Sequence, residues 1–95
     1  MHIIELLRIR CHPGRRADFL DRDAAVWTPA LARHRGFLGK EVWPSREDPD
    51  QVLLVVRWAS MESFQSFPMD RCAELSAMMD DVQADIRCEV YETAD

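Results

Sequence analysis

This sequence predicts a single α+β domain in the order β-α-β-β-α-β, with a four-stranded antiparallel sheet and its helices on one face. Three observations point there. The chain has 95 residues and 11.0 kDa, too few for two cores of roughly 100 residues each. Hydrophobic residues form 47% of it and charged residues 31%, the balance of a chain that packs a core. Aliphatic or alternating runs suited to strands occur in four places, with helical spacing between them and turn residues at the joints.

The first strand covers residues 3–11, an aliphatic run stopped by His12-Pro13-Gly14. One face reads Ile3, Glu5, Leu7, Ile9, Cys11 and the other Ile4, Leu6, Arg8, Arg10. Over residues 15–35 the spacing turns helical: Leu20, Ala24, Trp27, Leu31 and His34 share a face, widened by Phe19, Val26 and Ala30. Pro29 lies inside the pattern and predicts a kink there, because it gives no N–H to the preceding turn. Gly36 supplies the C-terminal stop. Residues 37–43 read as a second strand, residues 44–50 as a loop with two prolines, and residues 51–58 as a third strand around Val52-Leu53-Leu54-Val55-Val56. Ser60 is a candidate N-cap for a short helix whose apolar edge is Met61, Phe64 and Phe67, and Pro68 ends it. A further helix over residues 70–80 would bury Cys72, Leu75 and Met79. Residues 84–93 close the chain with a strand alternating Ile86, Cys88, Val90 against Arg87, Glu89, Tyr91.

Such an order gives the strand sequence 4-1-3-2 across the sheet. Helices can cover one face only, yet strands one and three offer apolar residues to both: Ile4 and Leu6, with either Leu53 and Val55 or Val52, Leu54 and Val56. Leaving three such side chains in water forgoes about 1.5–3 kcal/mol each. A homodimer joined sheet to sheet is therefore expected.

Charge and cysteine exclude several functions. Net charge is −5, and eleven of the twelve bases are Arg. Residues 1–40 carry +4 and residues 41–95 carry −9, so the two halves neutralise one another and the acidic total disfavours nucleic acid. Three cysteines, Cys11, Cys72 and Cys88, make neither a disulfide framework nor a zinc site. Asp80, Asp81 and Asp85 lack the spacing of a calcium loop, and no Gly-rich phosphate loop is present. No apolar run approaches the roughly 18 residues of a membrane span, and Glu5 interrupts any secretory leader. The expectation is a cytoplasmic protein with no membrane partner, no metal and no cofactor.

Three segments carry a family resemblance: Trp27-Thr28-Pro29-Ala30-Leu31, Gly36-Phe37-Leu38-Gly39-Lys40-Glu41-Val42-Trp43, and Val55-Val56-Arg57-Trp58-Ala59-Ser60. With the element order they resemble the antibiotic-biosynthesis-monooxygenase-like proteins of the dimeric α+β barrel superfamily, over nearly the whole of residues 1–95 as one domain. The resemblance implies a ferredoxin-like fold assembled as a dimeric barrel. It also implies a range of chemistry: cofactor-independent oxidation of aromatics or quinols, haem degradation, or ligand binding without reaction. The haem degraders' ligating His would fall at about Ala77, their ring-distorting Trp at Phe67, and their first-strand Asn near Leu7. None of the three residue types stands there, so haem degradation is not expected.

Candidate site residues follow. Trp27, Phe64 and Phe67 could line a flat slot for an aromatic ligand between sheet and helices, or serve only as core. His34, on the helical stripe, is of the residue type most often used as a general base, or is simply a helix-end histidine. Glu5, at a position that in the resembling proteins points toward the helices, would be a second acid/base candidate with a raised pKa, unless Arg57 or another strand arginine pairs with it. Arg57, like Arg8 and Arg10, is also a candidate for orienting an anionic ligand. Arg8, Arg10 and Arg57 suit a dimer seam opposite Glu89 or Glu41 equally well. The resemblance thus implies a cofactor-independent monooxygenase acting on a small aromatic or quinol. The alternative is a non-enzymatic ligand-binding or structural homodimer.

Overall fold

The computed structural model describes residues 1–94. Strands β1 (Ile3–Cys11), β2 (Phe37–Pro44), β3 (Gln51–Trp58) and β4 (Gln83–Glu92) alternate with helices α1 (Arg16–Ala25), α2 (Trp27–Ala32), α3 (Met61–Gln65) and α4 (Met69–Ala77). The sheet order is β2-β3-β1-β4, every neighbouring pair antiparallel. This is the ferredoxin-like arrangement the sequence predicts.

The long first helix is two helices. Its break falls at Val26, between α1 and α2, not at Pro29. The proline explains the shift. α2 restarts so that Pro29 lies in its first turn, where no N–H is needed for an intrahelical bond. The buried stripe also moves by one position: Phe19 and Asp23 face inward while Ala24 is exposed. In α3, Ser60 caps the helix by accepting from the Ser63 N–H at 3.1 Å. Met61 is exposed rather than on the apolar edge, because a five-residue helix turns only once past its cap and Phe64 takes the inward position. Phe64 and Phe67 pack against Ile3, Leu31, Val56 and Trp58.

Register decides which residues share a face. On the helix side Ile3, Glu5, Leu7 and Ile9 stand opposite Trp58, Val56, Leu54 and Val52. On the other side Ile4, Leu6, Arg8 and Arg10 stand opposite Arg57, Val55, Leu53 and Gln51. Leu53 and Val55 therefore join Ile4 and Leu6 on the face without helices. Ion pairs border that strip, Arg8 with Glu89 at 2.7 Å and Arg57 with Glu41 at 3.2 Å. β2 carries a register shift between Phe37 and Gly39, so that Phe37 opposes Trp58 and Lys40 opposes Val56. On β4, Ile86, Cys88 and Val90 face the helix side yet stay exposed, because the helices leave this edge strand uncovered.

Two polar joints close the helix layer onto the sheet. Gly36, at φ 89°, carries the chain into β2 and accepts from the Ala59 N–H at 2.8 Å. Lys40 Nζ donates to Asp23 Oδ2 at 2.6 Å and to Thr28 Oγ1 at 3.0 Å, tying α1 and α2 to β2. The Lys40 and Asp23 side chains are 4% and 3% exposed.

Both joints are testable by denaturation. A Cβ at residue 36 would overlap the Ser63 side chain at a left-handed φ, so Gly36→Ala should cost about 1–3 kcal/mol and lower Tm accordingly. Lys40→Met should cost about 3–5 kcal/mol by leaving the Asp23 carboxylate buried and unpaired. Asp23→Leu combined with Lys40→Met should return to within about 1 kcal/mol of the parent. Equal losses in the single and double variants would show that the pair is not what holds this joint.

Candidate functional site

Between the helix layer and the sheet lies a cavity of about 440 Å³, inside the roughly 300–1,000 Å³ of small-molecule sites. Its floor is Glu5, Leu7 and Ile9 of β1, Leu54, Val56 and Trp58 of β3, and Lys40 of β2. Its roof is Phe19 and Asp23 of α1, Trp27 and Leu31 of α2, then Phe64 and Phe67. Met69, Ile86 and Cys88 also line it and are exposed. They mark the mouth, between the start of α4 and the uncovered edge of β4. Trp27 and Phe67 stand with ring centroids 6.1 Å apart, a tilted pair that gives the roof an aromatic surface.

Glu5 is the carboxylate on this floor. Trp58 Nε1 donates to its Oε1 at 3.1 Å, and the Cys88 thiol approaches Oε2 at 3.9 Å. Burial pushes the Glu5 carboxyl above the ordinary glutamate value of 4.5, against the lowering pull of Trp58, Cys88 and the Lys40 charge. Burial likewise raises the thiols of Cys72 and Cys88, with the Glu5 charge adding to the effect. No arginine lies within ion-pair distance of Glu5 among the described residues, which removes the expected strand pairing.

The sequence-predicted residues separate cleanly. Trp27, Phe64, Phe67 and Glu5 come together at the cavity. Arg57 does not: it lies opposite Ile4 on the other sheet face and bonds Glu41. The alternation that turns Glu5 inward must turn the partner of Ile4 outward. His34 does not line the cavity either. Its Nε2 meets Ser66 Oγ at 2.8 Å and its ring packs on Trp58 and Phe67 at centroid distances of 5.7 and 5.2 Å. Phe67 stands at the wall, and His34 behind it. Arg8 and Arg57 are paired within the chain.

Two residues escaped the sequence reading. Asp23 and Lys40 both line the cavity, and Asp23 Oδ1 is buried with no hydrogen-bond partner. A buried acceptor left unpaired costs about 1–3 kcal/mol, more when charged. One cue was available: Lys40 is the sole lysine of the chain. Lys40, Val56, Glu5 and Val90 form one cross-strand row on the helix side. The ammonium and the carboxylate thus flank Val56 from strands about 10 Å apart, two strand spacings. No group of three His, Cys, Asp or Glu side chains is placed to hold a metal among the described residues, and no helix is long and apolar enough to cross a membrane.

Known proteins share this architecture. A candidate antibiotic biosynthesis monooxygenase of Bordetella bronchiseptica is 26% identical, with 98% of this chain and 97% of that one aligned at a TM-score of 0.78. SnoaB, a cofactor-independent oxygenase of Streptomyces nogalater, is 14% identical over 99% of this chain and 94% of its own, at a TM-score of 0.83. A candidate antibiotic biosynthesis monooxygenase of Nitrosomonas europaea reaches the same TM-score of 0.83 at 10% identity, covering 98% and 90%. No curated protein matches the chain in sequence. The sequence profile of the antibiotic biosynthesis monooxygenase family matches residues 2–68, more than half of the chain. With the fold and this match together, the chain belongs to the antibiotic biosynthesis monooxygenase family.

Proposed function

We propose that the protein is a cofactor-independent monooxygenase acting on a small phenol or quinol, a single-domain enzyme with Glu5 as its base. One observation carries this reading: a carboxyl with a raised pKa on the floor of an aromatic-walled cavity large enough for a small ligand. Trp27, Phe64 and Phe67 would hold the ring. Glu5 would take the phenolic proton. A phenol near pKa 10 is far above an ordinary carboxyl, and each unit by which burial raises Glu5 narrows that gap by about 1.4 kcal/mol. The phenolate then has the electron density to reduce O₂. One oxygen atom enters the ring as a carbonyl in place of C–H, and the other leaves as water with the two hydrogens the phenol has lost. The ring supplies all four electrons. The same balance turns a quinol into a hydroxyquinone. Likeness of fold to a cofactor-independent oxygenase supports the reading. The three free thiols suit a cytoplasmic location.

Oxygen uptake with hydroxylated naphthalenes tests the assignment. Glu5→Gln should lower kcat/KM by about 10²–10⁴-fold. In the parent, activity should rise with pH through a pKa above 4.5, because only the ionised carboxylate is a base. Stability runs the other way. Between 4.5 and the raised value the folded chain holds a proton the unfolded chain has released, so stability declines as pH rises across that window. Glu5→Gln should abolish both trends. Unchanged uptake in that variant would remove Glu5 from the mechanism. Saturable quenching of tryptophan fluorescence without uptake would select the non-enzymatic binding protein instead.

The same reading includes a homodimer joined through the face of Ile4, Leu6, Leu53 and Val55. That strip lies on the side the helices leave bare, and Arg8–Glu89 and Arg57–Glu41 border it. Sedimentation equilibrium should give twice 11.0 kDa, and Leu6→Glu should halve the mass by placing a charge in the seam. A parent that sediments as one chain at micromolar concentration overturns the dimer.

A further inference from the structure

We propose that Asp23 and Lys40 form a second ligand anchor, which binds a hydroxyl of the substrate on the β2 side of Val56 while Glu5 engages another on the β1 side. This deepens the monooxygenase reading of the same cavity, and rests on it for the aromatic ring of the ligand. Both residues line the cavity, and the pair is not saturated within the chain. Asp23 Oδ1 is buried without a partner. The Lys40 ammonium has three hydrogens and gives two of them, to Asp23 Oδ2 and Thr28 Oγ1. One acceptor and one donor remain. A hydroxyl both donates and accepts, so it complements the two together. A pair that served only to tie α1 to β2 would gain nothing from an unpartnered oxygen in its interior.

Charge narrows the ligand further. Two carboxylates, Asp23 and Glu5, face the cavity against one ammonium, Lys40. Carboxylate or phosphate ligands are disfavoured there, and neutral rings with two separated hydroxyls are favoured. The row Lys40–Val56–Glu5 fixes this order across three adjacent strands. The ring would lie over Val56, with one oxygen toward each polar neighbour.

Three probes of one ring system separate the two anchors: 1,4-dihydroxynaphthalene, 4-methoxy-1-naphthol and 1,4-dimethoxynaphthalene, titrated without oxygen by tryptophan fluorescence. The parent should bind the diol about tenfold more tightly than the monomethyl ether, the worth of one buried hydrogen bond to a charged group. Asp23→Leu with Lys40→Met should bring those two within about twofold, while Glu5 keeps both ahead of the dimethyl ether. Asp23→Asn, of unchanged size, should lower the preference to about threefold, since a charged acceptor becomes neutral. That variant decides the matter if the double variant does not fold. A parent that fails to distinguish diol from monomethyl ether, or variants that keep the full preference, overturns the anchor. Discrimination without oxygen uptake on aeration removes the monooxygenase reading and leaves the anchor standing. Uptake without discrimination does the reverse. Failure of all three probes to bind overturns both.

Discussion

The pairing of Glu5 with Val56, and of Val56 with Lys40, is the constraint on which the rest of this structure depends. Side chains alternate along a strand, so these pairings sort every residue of the sheet at once. They put a carboxylate and an ammonium beneath the helices. They also put Ile4, Leu6, Leu53 and Val55 on the opposite surface. A slip of β1 by one residue would expose Ile3 and Ile9, bury Arg8 and Arg10, and remove Glu5 from the cavity. Ile3 and Ile9 are nearly fully buried, so their desolvation resists that slip with several kcal/mol by the usual burial scale. The hydrophobic core therefore enforces the placement of the polar groups.

That placement runs against the demands of stability. Charged groups in an apolar space lose hydration, and only part of the loss returns through partners. Trp58 shows how the chain limits the cost. It is the largest fully buried side chain, held edge-on by Phe37 and Phe64, and its single N–H is directed at Glu5. Rigid aromatic packing thus holds the N–H that orients the Glu5 carboxylate. The raised pKa of Glu5 and the unpartnered oxygen of Asp23 are what remain uncompensated. Sites that act on ligands commonly retain such deficits.

Much of this was legible in the sequence. The aliphatic runs of β1 and β3, Gly36 as a stop and Ser60 as a cap gave the elements, because each rests on local chemistry. The aromatic residues at the cavity were visible through helical spacing. Glu5 stood out as an acid among aliphatics. Lys40 and Asp23 did not stand out, for separable reasons. Asp23 lies four residues after Phe19 and shares its inward face of α1, a position that helical spacing assigned to neighbouring apolar residues. Lys40 is inward only because strict alternation from Phe37 fails. Residue type drew in Arg57, and residue type with a place on the helical stripe drew in His34; neither cue tells which side of the sheet or of Phe67 the side chain occupies.

The register shift in β2 explains that failure, and it has a consequence of its own. Phe37 and Lys40 both face the helices although they are three positions apart, since the strand accommodates one extra residue between Phe37 and Gly39. With every residue kept but paired in strict alternation from Phe37, the outer half of β2 would be turned over: Glu41 and Trp43 would enter the interior, and Lys40 would leave it. The inward position of the Lys40 charge thus depends on an irregularity of strand pairing as much as on an amino acid. Deleting Leu38 would instead let Phe37, Gly39 and Lys40 alternate regularly opposite Trp58, Arg57 and Val56, so the bulge and the ammonium it turns inward are separable features of β2.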